Sequence, residues 1–207
     1  MTDAQRYPNR PVVAIMESGE NAMRAKDYEL AKSEFTEAVD RDPGYPRARY
    51  MLGNALLALG EPAKAREQME VALAADVDNA DYYAGLCKAL YEDKKLDELF
   101  RLLRQRASEH GTVDDYMLLA DYSRKSGDAD EAHNAYLTAA RLDQGKSLAP
   151  QLALADFYES IGNQPEASRR LRMAYFIDSA NPEVNRRLVK FGHRLGPGLA
   201  LRPLERP

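Results

Sequence analysis

Between Ala140 and Ser147 the chain reads Ala-Arg-Leu-Asp-Gln-Gly-Lys-Ser, whose Gly-Lys-Ser ending could close around a nucleotide phosphate if Ala140 stood for the usual leading glycine. Such a loop works only where a β-strand runs into it and a helix leaves it, so that backbone amides converge on the phosphate. Here Tyr136 to Leu142 reads as the end of a helix and no strand-like run exists in the sequence, so Gly145 and Lys146 are expected in an ordinary turn. The one cysteine, Cys87, has no His or Asn placed to activate it, and it cannot form an intrachain disulfide. His110, His133 and His193 stand far apart with no carboxylate or cysteine at metal-ligand spacing, and are expected at the surface. No HExxH, GxSxG or paired-cysteine motif is present. The expectation is a non-catalytic chain with no cofactor and no metal.

The elements that carry these residues are set by a repeat. A small or apolar residue is followed four positions later by a large one at Ala31/Phe35, Ala65/Met69, Leu99/Leu103, Ala132/Tyr136 and Ala167/Leu171, at intervals of 34, 34, 33 and 35. A period near 34 marks stacked helical units, each of which buries its apolar face only against its neighbours. Around these pairs the units read Ile15, Ser18, Gly19, Ala22, Ala38, Pro43; Arg49, Leu52, Gly53, Leu56, Ala72, Val77; Tyr83, Leu86, Cys87, Leu90, Arg106; Tyr116, Leu119, Ala120, Ser123, Ala139; and Gln151, Leu154, Ala155, Tyr158, Ala174. Small residues at the eighth position of each first helix let two backbones approach, while large residues fill the space between turns. This gives Cys87 a packing role.

In this order of residues the chain resembles the tetratricopeptide repeat family, whose two-helix unit carries W-x2-L-G-x2-Y, then A-x3-F, then P. The resemblance implies an all-α, right-handed α-solenoid of five helix pairs, at about 12–45, 46–79, 80–112, 113–147 and 148–181. A capping helix over 182–194 follows. The whole is expected as one domain over 12–195, preceded by a flexible segment 1–11 and followed by an extended Pro/Gly-containing tail 196–207. Second helices are expected to start at Asp27, at Glu61 before Pro62, at Asp128 and at Asn163, with Gly60, Gly127 and Gly162 ending the helices before them. Asn181 and Pro182 open the cap. The third unit departs most, because Leu99 and Arg106 replace alanines, and a looser second helix or a local distortion is expected there.

The resemblance also implies function: a concave face, lined by set positions of the first helices, that holds a peptide or a protein. On this sequence the centre of that stripe is Tyr50, Asn54, Lys88, Tyr91, Met117, Asp121 and Arg124, with aromatics to supply contact area and Asn54 to bond a peptide backbone. Ordinary solvation accounts equally well for any one of them. The Lys, Asn, Asn, Lys and Arg clamp with which some members hold chaperone C-termini is absent: the first three units offer Met16, Glu20, Met51, Asp81 and Gly85, and a shift of one unit preserves only Asn54.

Composition narrows the rest. At 207 residues, with 44% apolar and 30% charged, the chain can bury a core and shows no apolar run near the roughly 18 residues that span a bilayer. Met1 to Pro11 has no apolar segment of the secretory kind, which favours the cytoplasm, or the periplasm or exterior if a leader has been removed. From Pro182 onward six basic residues face two acidic ones, a net +4, which leaves −8 on residues 1–181 of a chain whose net charge is −4. An acidic body argues against nucleic acid. The leading expectation is a non-catalytic adaptor or scaffold for a protein partner. The alternative is a self-assembling protein, a homo-oligomer in which the basic cap and tail dock on the acidic body of a neighbouring copy, motivated also by Leu195, Leu199, Leu201 and Leu204 in a tail that would otherwise expose them.

Overall fold

The computed structural model describes residues 10–204, all of whose regular structure is helical. Nine of the eleven residues of the expected flexible N-terminal segment, and 205–207 of the tail, lie outside them. The helices are α1 (Val12–Ala25), α2 (Tyr28–Arg41), α3 (Pro46–Ala58), α4 (Pro62–Ala75), α5 (Ala80–Glu92), α6 (Leu96–Glu109), α7 (Val113–Lys125), α8 (Ala129–Asp143), α9 (Ala149–Ser160), α10 (Gln164–Ile177) and α11 (Pro182–Lys190). They fall into the expected pairs. The chain forms two compact units, 1–102 and 103–207, and the division lies inside α6 of the third repeat.

In the first unit α1 packs on α2, α2 on α3, α3 on α4 and α4 on α5, while α3 also reaches α5. The repeat residues account for these approaches. A Cβ on Gly19 would lie 2.5 Å from Cε1 of Phe35, and one on Gly53 would lie 2.8 Å from Cγ of Met69, so the large residue of each second helix occupies the space left at position eight of the first. Ala31, Phe35, Ala65 and Met69 have no exposed area, and neither does Cys87. Leu99 is equally enclosed, so the bulk that replaces alanine in the third repeat is taken inside the core.

The turn between the two helices of every repeat uses one left-handed residue, and the column is Lys26 (φ 61), Gly60 (φ 75), Lys94 (φ 62), Gly127 (φ 86) and Gly162 (φ 77). Side chains other than glycine resist this conformation, at a cost of about 1–2 kcal/mol, so the two lysines are strained where the three glycines are not. The residue that follows starts the second helix. Asp27, Asp128 and Asn163 accept from the amides of Leu30, Glu131 and Glu166 as expected. Glu61 stands at the same place but makes no side-chain cap bond; its carboxylate takes Lys32 at 2.6 Å and Lys64 instead.

In the second unit α7 packs on α8, α8 on α9, α9 on α10 and α10 on α11. Thr112 and Asp115 form a reciprocal capping box at the start of α7. Arg106, the other large replacement in the third repeat, turns its guanidinium onto that same carboxylate, with Nε 3.0 Å from Oδ1 of Asp115. The cap helix begins on Asn181, whose side chain accepts from Glu183 and Val184, but it ends at Lys190 rather than near Arg194. Gly192, left-handed at φ 82, stops it a turn early. The tail contains only the short 3₁₀ turn Pro197–Leu199. It lies on its own chain: Leu199 is buried with Ala155, Leu171, Ala174, Tyr175, Val184 and Leu188, while Leu195 and Leu204 stay exposed. Of the tail leucines that motivate docking on a neighbouring copy, Leu199 is covered, and Leu201 half-covered, by its own chain.

Candidate functional site

The ninth position of each repeat, counted from residues 12, 46, 80, 113 and 148, forms a column of Glu20, Asn54, Lys88, Asp121 and Asp156, and the three acids in it are all engaged within their own unit. Glu20 accepts from Arg47 at 2.6 Å. Asp121 accepts the hydroxyl of Tyr136, a side chain almost wholly enclosed between α7 and α8. Asp156 meets Arg187 of the cap helix at 2.7 Å, which also reaches Glu159 at 2.8 Å. Lys88 is exposed and only 3.9 Å from Glu92, a loose pair. The half-buried Asn54 side chain has no hydrogen-bond partner among the described residues.

Asn54 and Lys88 have aromatic company in the first unit. Tyr50, one turn before Asn54 on α3, packs against Tyr82 of α5 with ring centroids 5.1 Å apart. It also lies over Gly85, where a Cβ would come 2.8 Å from Cε2 of the tyrosine ring. Tyr50 is thus partly a packing residue, half-buried with one face on the next repeat. Tyr91, half-buried at the end of α5, holds the Lys94 ammonium 5.4 Å from its ring centre. Among the stripe residues of the second unit, Met117 is half-buried and Arg124 exposed. Asp121 differs from the expectation of an open recognition group. Burial and this hydrogen bond together hold the Tyr136 hydroxyl well above the ordinary tyrosine range, so Asp121 keeps a neutral phenol in place.

The sequence that resembles a phosphate loop is a helix end. Asp143 closes α8, Gln144 and Gly145 are left-handed, and the buried Asp143 carboxylate accepts from the Ser147 amide at 3.0 Å and from its hydroxyl at 2.7 Å. The Ser147 amide and hydroxyl that a phosphate would need are thus taken by a carboxylate. Two histidines depart from the surface positions expected of them. His133 is half-buried against Phe157 and lies 2.7 Å from the Tyr158 hydroxyl, and His193 lies 2.7 Å from the Ser168 hydroxyl.

These histidine bonds belong to a rule that the sequence reading missed. On four of the five second helices the residue after the small one reaches the end of the next repeat's first helix or the turn beyond it: Lys32 to Glu61, Arg66 to Asp93, His133 to Tyr158 and Ser168 to His193. The partners lie 25 to 29 residues apart, a spacing that only repeat alignment relates. No group of His, Cys, Asp or Glu among the described residues could hold a metal ion, and no described helix is long and apolar enough to cross a membrane.

Comparison with known proteins agrees with this geometry. The tetratricopeptide repeat family model matches residues 22–98. No curated protein matches the chain in sequence. Among solved structures, the MamA protein superposes with a TM-score of 0.60 at 20% identity, over 90% of this chain and 98% of its own. A thermophilic tetratricopeptide repeat protein of Thermus thermophilus gives 0.60 at 19% identity, over 87% of this chain and 98% of its own. YrrB, described as a tetratricopeptide repeat protein with an unusual peptide-binding site, gives 0.53 at 17% identity, over 87% and 92%. Residues 22–98 match the tetratricopeptide repeat model, and the chain has the tetratricopeptide repeat fold.

Proposed function

We propose that the protein is a non-catalytic adaptor that holds a peptide segment of a partner protein on the first-helix face of its first unit. Asn54 carries the reading. It is a half-buried amide with both donor and acceptor capacity and no protein partner among the described residues, set one turn from the Tyr50 ring. Such a group suits the backbone of an extended peptide. Tyr50 and Tyr91 supply rigid contact area at small entropic cost, and Lys88 supplies a cation for an acceptor on the ligand. The fold supports the reading in general terms, since stacked helical repeats present extended binding surfaces, and YrrB is a peptide-binding example of it.

Displayed random peptides selected on the full chain provide a ligand for the test. Replacing Tyr50, Asn54 and Tyr91 together by Ala is expected to weaken a selected peptide at least about tenfold, because a few central residues carry most of the energy of such contacts. Unchanged affinity in the folded triple variant overturns the proposal.

A further inference from the structure

The repeat does not stop at the fifth pair. First helices begin at 12, 46, 80, 113, 149 and 182, so the cap helix α11 is the first helix of a sixth unit. Second helices begin at Tyr28, Pro62, Leu96, Ala129 and Gln164, and the 3₁₀ turn begins at Pro197, 33 residues further on. The small and large pair recurs in the same register, Ala167/Leu171 being followed by Ala200/Leu204 at an interval of 33. Residues 196–204 therefore stand where the sixth second helix belongs.

Pro203 explains why no helix forms. Inside a helix it would lack a donor, and its ring would collide with the carbonyl four residues back, that of Leu199. In the structure that carbonyl accepts from Nε of Arg172 at 2.9 Å, and the Leu201 amide donates to the Arg172 carbonyl at 3.1 Å. The backbone is already extended at Ala200, with φ −57 and ψ 133. Leu199 fills the core formed by Leu171, Tyr175, Val184 and Leu188, and Leu148, Leu152 and Phe191 pack around it. Pro203 itself is buried.

We propose that residues 196–204 are the second helix of a sixth repeat turned into a strap by Pro203, and that the strap closes the fifth repeat against a second copy of the chain. The face beneath it is shaped to receive a helix of this repeat, and a second copy brings five such helices. Charge favours the same occupant, since the net +4 from residue 182 onward meets a body that carries −8. Phe176 on α10 and Val189 on α11 are 40% and 56% exposed.

Hydrogen exchange and light scattering test the two halves of the proposal. In the full chain the Leu201 amide is expected to be protected well beyond an exposed tail, and exchange at the rate of a free peptide overturns the strap. The full chain is expected at single-chain mass, and a version ending at Leu195 with unchanged helical circular dichroism at twice that mass or more. Adding a peptide of residues 196–207 then restores the single-chain mass. A folded short version that stays at single-chain mass, or a full chain that is itself a dimer, overturns the closing role. Should the short version lose its helical signal, Leu199→Gln in the full chain replaces it: concentration-dependent association is expected, and a constant single-chain mass overturns the proposal.

Discussion

Asn54 in the first unit and Asp121 in the second are both the ninth residue of their repeat's first helix, yet one is open and the other is held. The difference originates on the second helix. Repeat two places Met69 at the large position, which asks nothing polar of its surroundings, whereas repeat four places Tyr136, whose buried hydroxyl must find a partner. Asp121 supplies it. Asp156 is held differently, by Arg187 of the cap helix α11. The same repeat position thus leaves Asn54 without a side-chain partner among the described residues in repeat two and ties Asp121 to Tyr136 in repeat four, and the residue at the large position of the paired helix makes that difference.

Removing that side chain should produce the largest effect. Tyr136→Ala is expected to cost about 3–5 kcal/mol through the cavity it leaves, read by denaturant unfolding. Tyr136→Phe keeps the ring and loses the hydroxyl's interactions with Asp121 and Arg124, for an expected cost of about 1.5–3 kcal/mol; an unchanged midpoint would break the comparison. The same pair sets a pH dependence. The folded state holds the Tyr136 hydroxyl above the ordinary tyrosine value of about 10, so its contribution is complete below that pH and is lost as pH rises from there through the higher folded value. Between about pH 10 and 11 the native protein should therefore lose more stability than Tyr136→Phe.

The turns offer a smaller contrast. Two of the three described turns of the first unit place lysine in the left-handed position, whereas Gly127 and Gly162 occupy it in the second. Lys94→Gly should raise stability by about 0.5 kcal/mol, the relief of strain being partly offset by the freedom glycine gives the unfolded chain, while Gly127→Lys should lower it. The smallest expected change is at the open end of the comparison. Asn54→Ala should alter stability by less than about 0.5 kcal/mol, as thermal unfolding would show.

The caps Asp27, Asp128, Asn163 and Asn181 are readable in the sequence because each depends on residues close along the chain, and the helix pairs and buried Cys87 are readable because the same pattern recurs every 33 to 35 residues. Lys26 and Lys94 are not readable as left-handed, since lysine carries no turn signal and only the column reveals them. Asp121 reads as open because its partner lies 15 residues away on another helix, and nothing on α7 announces it. His133 and His193 are misplaced for the same reason. The tail is a different kind of miss: Ala200 and Leu204 keep the repeat spacing, but Pro203 hides it, and Pro197 and Pro203 suggest an extended segment without showing what it covers.

The open and held positions can be set against each other with one titrated peptide, selected on the full chain. Its dissociation constant should rise at least about tenfold in the Asn54→Ala, Lys88→Ala double variant, while Asp121→Ala, although less stable to unfolding, binds as the native protein does. An affinity that ignores Asn54 and Lys88, or that falls with Asp121 in a fully folded sample, would contradict the assignment of recognition to the first unit.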